Sequence, residues 1–241
     1  MKMNSTKTNI LDFAATHSRV NASLLNAAYG LTTVTARQYL SALYKSNDLV
    51  RIGHGEYALP KKQIFNYTPS PEVRNMVEGL QKELPFADFC GYDGSIFTPL
   101  QHHLSINKAI YIETNRDTVE SVFFKLRDQN HKVFRQPDRS VMSNYVDLRE
   151  PCVIVKTLVT EAPLTSVGGI KVPALEKLLV DILKDDDLDY LSGSEASYIY
   201  SMVFELFTIN VPKLLRYARR RGISETVDNL IQYSVNSNVI V

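Results

Sequence analysis

Thr33, Thr35, Arg37, Gln38 and Ser41 crowd one short stretch of the chain and offer hydroxyls, an amide and a guanidinium. Such side chains read base edges from the major groove and grip the phosphates beside it. Lys45, Arg51, His54 and Lys61 follow and add phosphate-binding groups, His54 being either a phosphate contact when protonated or a plain turn residue. Far downstream, Lys213, Arg216, Arg219, Arg220 and Arg221 form a basic cluster with two readings. It is either a solvated helix end that complements the helix dipole, or a second nucleic-acid or partner contact. Metal chemistry is poorly supplied. Adjacent residues such as His102 and His103 point about 100° apart on a helix, and no Cys, His or acid close in sequence completes a ligand set. The acid run from Asp185 to Asp189 lacks EF-hand spacing and reads as a solvated helix end and turn. Cys90 and Cys152 lie apart without CxxC spacing and read as reduced core residues. No metal, no cofactor and no catalytic residue are expected.

The groups of the first stretch need a scaffold, and the pattern supplies one. Apolar residues at 10, 11, 13 and 14 predict a helix over 9–17, and Leu24, Leu25 and Ala28 predict a second from the cap Asn21 to Gly30. Thr32 is a good N-cap for a third, in which Ala36, Tyr39, Leu40 and Leu43 share one face while the polar set occupies the other. Two short strands, 49–52 and 56–59, flank Gly53-His54-Gly55, and Pro60 stops the second. Three short helices and a hairpin in this order resemble a winged helix-turn-helix, in which the hairpin tip touches the phosphate backbone or minor groove. Winged helices also serve as protein-interaction modules without nucleic acid. Charge favours DNA here: residues 1–62 carry eight Lys/Arg against three acids, +5, while the rest carries 19 against 23, −4, within an overall +1.

The 241 residues fit two domains, 1–62 and 71–241, joined by a polar, proline-bearing linker over 63–70. In the second, helices are predicted over 71–84, 117–128, 173–182, 194–207, 211–221 and 224–235, with a further helix over 96–104 broken early by Pro99. Strands are predicted over 108–113, 131–135 and 153–159, with Ile170 to Val172 a short addition. Strands alternating with helices and then a helical tail give an α+β chain whose larger domain is α/β. No signal-like or membrane-spanning run occurs, so a cytoplasmic protein is expected.

The order helix, strand, Gly94-Ser95, helix, acid-bearing strand resembles the nucleotidyltransferase superfamily. That resemblance implies a Gly-Ser that lets the backbone approach a triphosphate, and a pair of strand carboxylates that hold two metal ions. The strand here offers Glu113 alone, with Tyr111 and Asn115 at the partner positions, so the fold is expected without its metal site. The alternative is an active enzyme using Gly94, Ser95 and Glu113 with magnesium. A winged helix, a linker, a degenerate nucleotidyltransferase-like domain and the segment 169–181, Gly-Ile-Lys-Val-Pro-Ala-Leu-Glu-Lys-Leu-Leu-Val-Asp, together resemble the AbiEi antitoxins of bacterial type IV toxin-antitoxin systems. The resemblance implies an autorepressor that binds promoter repeats in double-stranded DNA, as a dimer or paired monomers, beside a nucleotidyltransferase-like toxin.

Overall fold

The computed structural model describes residues 2–17, 19–46, 48–60, 62–129 and 131–237. The chain is mixed α+β and divides into two compact units, residues 1–64 and 65–241. Among the described residues no helix is long and apolar enough to cross a membrane.

The first unit consists of α1 (Lys2–Thr16), α2 (Ala22–Tyr29), α3 (Thr33–Lys45) and a hairpin of β1 (Val50–Gly53) and β2 (Glu56–Ala58). Helix α1 starts a full two turns before Asn9, the expected start. Apolar periodicity marks only the buried part of a helix, and no Gly or Pro in 2–8 stops the polar turns. Asn21 accepts a hydrogen bond from the Leu24 N–H at 2.9 Å, and Gly30 closes α2 at φ 65°. Ile10, Ala14, Leu25, Ala36, Leu40 and Leu43 interlock in the core. Val20, between α1 and α2, exchanges both backbone hydrogen bonds with Tyr57 on β2, at 2.7 and 2.9 Å. That exchange ties the hairpin to the helices.

The second unit opens with α4 (Pro71–Glu83), β3 (Phe89–Asp93), a 3₁₀ helix (Gly94–Leu100), β4 (Ala109–Thr114), α5 (Val119–Asp128), β5 (Val133–Arg135), α6 (Arg139–Tyr145) and β6 (Cys152–Thr157). It continues through a hairpin of β7 (Leu164–Val167) and β8 (Ile170–Pro173), α7 (Leu175–Asp181), a second 3₁₀ helix (Asp186–Leu191), α8 (Ser194–Leu206), α9 (Val211–Arg220) and α10 (Ser224–Ser237). Four strands form a sheet in the order β3-β4-β6-β5, in which β4, β6 and β5 are parallel and β3 is antiparallel to β4. Alternate residues serve opposite layers. Ile110, Ile112, Val153 and Val155 pack with α4 and α5, whereas Tyr92, Tyr111 and Ile154 pack with the helices from α7 onward.

The helix expected over 96–104 is instead the short 3₁₀ turn, because Pro99 supplies no N–H to an α ladder. Helix α6 has no buried residue, so no apolar stripe announces it. Phe65 and Tyr67, within the stretch read as a linker, pack against the second unit's core.

Candidate nucleic-acid interface and a buried charged cleft

Helix α3 is held at its start by the Thr32 hydroxyl, which accepts from the Thr35 N–H at 3.2 Å. Its buried side, Ala36, Leu40 and Leu43, leaves the opposite side as a strip of Val34, Arg37, Gln38, Ser41, Ala42 and Lys45 around a shallow concavity. Thr33, Arg37, Gln38 and Lys45 are exposed, and Ser41 is half-buried. Among the described residues neither Arg37 nor Lys45 has an ion-pair partner, whereas Arg19 is held by Glu56 at 3.2 Å. Thr35 is half-buried, and its hydroxyl is engaged with that of Thr32 at 2.9 Å, beside the cap. Val34 is 66% exposed on the same strip, suited to a thymine methyl, and the sequence reading missed it. Its lying outside the apolar stripe was the available signal.

On the hairpin, Arg51 and His54 are exposed. Arg51 spends one donor on the Gly53 carbonyl at 3.1 Å. His54 stands in the two-residue turn with Gly55, whose φ of 70° favours glycine there. Lys61 lies outside the described residues.

In the second unit the expected groups are redistributed. Asp93 pairs in register with Ile110 and Cys90 with Glu113, so Gly94, one residue past Asp93, and Glu113 lie towards opposite ends of β4, about 13 Å apart at the usual strand rise. A side chain on Gly94 would collide with Asn107 at 2.3 Å, so packing alone accounts for the glycine. The Ser95 N–H bonds to the Asp93 carboxylate at 3.1 Å, closing a local turn.

Glu113 stands on β4 inside the second unit. It is 2% exposed, accepts from the Tyr92 hydroxyl at 3.1 Å and pairs with Lys177 at 2.7 Å. Lys177 also pairs with Asp181, which accepts from Tyr217 at 2.9 Å and from Arg221 at 2.7 Å. Arg221 reaches Asp185, which pairs with Lys156 at 2.8 Å, and Lys156 reaches Asp187 at 2.9 Å. Four carboxylates therefore alternate with three cations in one buried chain. The acid run at 185–189 is likewise not wholly solvated, since Asp185 and Asp187 are drawn inward by Lys156. Removing one of the three cations from such a chain leaves an uncompensated buried charge, at a cost of about 3–5 kcal/mol.

The surplus carboxylate shows in the protonation balance. Burial pushes Asp181 up to about 6, against the pull of Lys177 and Arg221. Burial opposes charge at Asp185 too, but Lys156 and Arg221 hold that carboxyl below the usual range. All members of the chain but Asp181 line a cleft with Gln136 and Thr157 at the carboxyl ends of the parallel strands. Gln136 has φ 44° and accepts from the Thr157 hydroxyl at 2.6 Å.

The basic cluster on α9 divides. Arg221 is consumed by Asp181 and Asp185, and Arg220 bonds to Thr160. Arg216, Arg219 and Arg220 are exposed, and Lys213 is half-buried. One further group is brought together that sequence separation hides: Glu195, in the first turn of α8, meets His102 and His103.

These features define a two-unit α+β protein with an outward-facing polar helix in one unit and a buried ionic chain in the other. Residues 35–237 match the model of a family of unknown function, DUF6577, and the chain belongs to that family. No curated protein matches it.

Proposed function

We propose that the protein is a cytoplasmic DNA-binding transcriptional regulator, and that its first unit is a winged helix-turn-helix. On this reading α3 enters the major groove with Arg37, Gln38 and Ser41 at base edges, while Lys45, Arg51 and His54 meet phosphates. The observation that carries the proposal is the strip on α3: it exposes cations without ion-pair partners among the described residues, in a unit of net charge +5. The Val20–Tyr57 bridge supports the winged-helix reading, because it adds a third strand segment that braces the hairpin.

The second unit then serves a partner rather than a reaction, as a nucleotidyltransferase-like scaffold lacking the metal pair. Support comes from the separation of Gly94-Ser95 from Glu113, and from the engagement of Glu113 by Lys177 and Tyr92. The resemblance to AbiEi antitoxins makes the partner a nucleotidyltransferase-like toxin and the operator a repeat in the protein's own promoter.

The test is fluorescence anisotropy of the full chain with a labelled duplex from upstream of its own reading frame, across a salt series. Affinity is expected to fall steeply with salt, and Lys45→Ala to reduce the log–log slope by about one. Arg37→Ala is expected to cost about 1–3 kcal/mol if it reads a base. Absence of duplex binding even at the lowest salt would point to an interaction module that does not use DNA, and binding indifferent to both substitutions would overturn the docking of α3.

A further inference from the structure

The 3₁₀ helix that follows β3 ends at Leu100, and the chain then bends through His102 and His103. Glu195 arrives from the far side of the sequence on α8. Its Oε1 accepts the backbone N–H groups of His102 at 2.6 Å and His103 at 3.3 Å, which fixes the carboxylate and leaves Oε2 for the imidazoles. That oxygen lies 3.0 Å from His103 Nδ1, and His103 Nδ1 lies 3.3 Å from His102 Nδ1. All three ligand atoms fall within 4.8 Å of one another. Tyr198, one turn along α8, packs its ring on His102 at 4.7 Å between centroids.

Hydrogen bonding alone serves this arrangement poorly. His103 Nδ1 has a single bonding direction to divide between a carboxylate oxygen and another ring nitrogen, and one N–H between them yields only a weak three-centre bond. A cation facing all three atoms is served by each of them. The spacing also fits, since two nitrogens on a tetrahedral zinc at about 2.0–2.1 Å stand about 3.3 Å apart.

The geometry points to a surface site for a divalent transition metal of the zinc class, held by His102 Nδ1, His103 Nδ1 and Glu195 Oε2, with a fourth position open to solvent. Two imidazoles with one carboxylate select zinc-class ions over calcium or magnesium, which favour all-oxygen shells. His103 is 83% exposed, so an incoming ion or a fourth ligand from a partner has access. Bound metal would pin the 101–107 segment to α8. This inference is independent of the DNA-binding proposal.

Isothermal titration of the untagged full chain with Zn²⁺, paired with the visible absorption of Co²⁺, tests it. One ion per chain is expected, with the intense ligand-field bands of four-coordinate cobalt. Glu195→Gln keeps an acceptor for the two backbone N–H groups but weakens the ligand, and should lower affinity by at least about tenfold, as should His103→Ala. His17→Ala should leave metal binding unchanged. Equal binding by Glu195→Gln and the parent, or the absence of any stoichiometric heat, would overturn the assignment. Circular dichroism of each variant separates lost binding from lost fold.

Discussion

Asp181 stands where the ionic chain of the second unit is most crowded, between Lys177, Tyr217 and Arg221. Burial, reinforced by the neighbouring carboxylates and opposed by Lys177 and Arg221, raises its carboxyl to about 6, so the folded protein holds a proton there that the unfolded carboxyl releases near 3.8. The native state thus binds more protons between those values. The stability this proton confers is fully present below about pH 4 and is lost as pH rises through about 6. Asp181→Asn lacks the titration, so its stability relative to the parent should improve by up to about 3 kcal/mol between pH 4 and 7. Urea midpoints of both proteins across that range measure the difference, and a flat difference would mean that folding does not raise the Asp181 carboxyl. Little of this was legible beforehand. Lys177 and Asp181 are four apart and visibly share a helix face, but Glu113, Lys156 and Arg221 reach them only through the sheet register and the return of α9.

Helices α2 and α3 are where local sequence speaks most directly. Asn21, Gly30 and Thr32 perform the capping that their residue types announce, because a cap is a contact within a few residues. Thr32→Ala removes the acceptor for the Thr35 N–H and leaves the Thr35 hydroxyl without its partner, so it should cost about 1 kcal/mol. Thr32→Ser should restore that loss in a denaturant titration, and an alanine variant as stable as the parent would show the cap to be dispensable. Elements without a buried stripe were silent: α6 buries no residue fully, and the polar opening turns of α1 carry no period. Thr35 shows the limit at a single position, since periodicity placed it on the outer face while the cap recruited its hydroxyl.

Across the molecule, charge is partitioned, +5 over residues 1–62 and −4 over the rest. With one reading helix per chain, the proposed operator binding gains specificity from two half-sites one helical turn apart, about 34–36 Å. A duplex carrying two copies at that spacing should bind two chains with roughly twice the salt slope of a single site. Inserting half a turn between the copies should abolish any cooperative gain. Equal affinity for all three duplexes would leave each chain acting alone.

The sequence by itself determined the mixed α+β character, the polar strip of α3 opposite its apolar stripe, and the concentration of positive charge at one end. Each of these depends on residue type and short spacing, which a linear reading measures directly. The tertiary structure alone decided that Arg221 is bound to Asp181 and Asp185, that Glu113 faces Lys177 instead of Gly94-Ser95, and that Glu195 meets a histidine pair 92 residues away. The physical reason is common to all three. A charge buried among distant elements takes whichever partner packing delivers, and no local pattern encodes that partner.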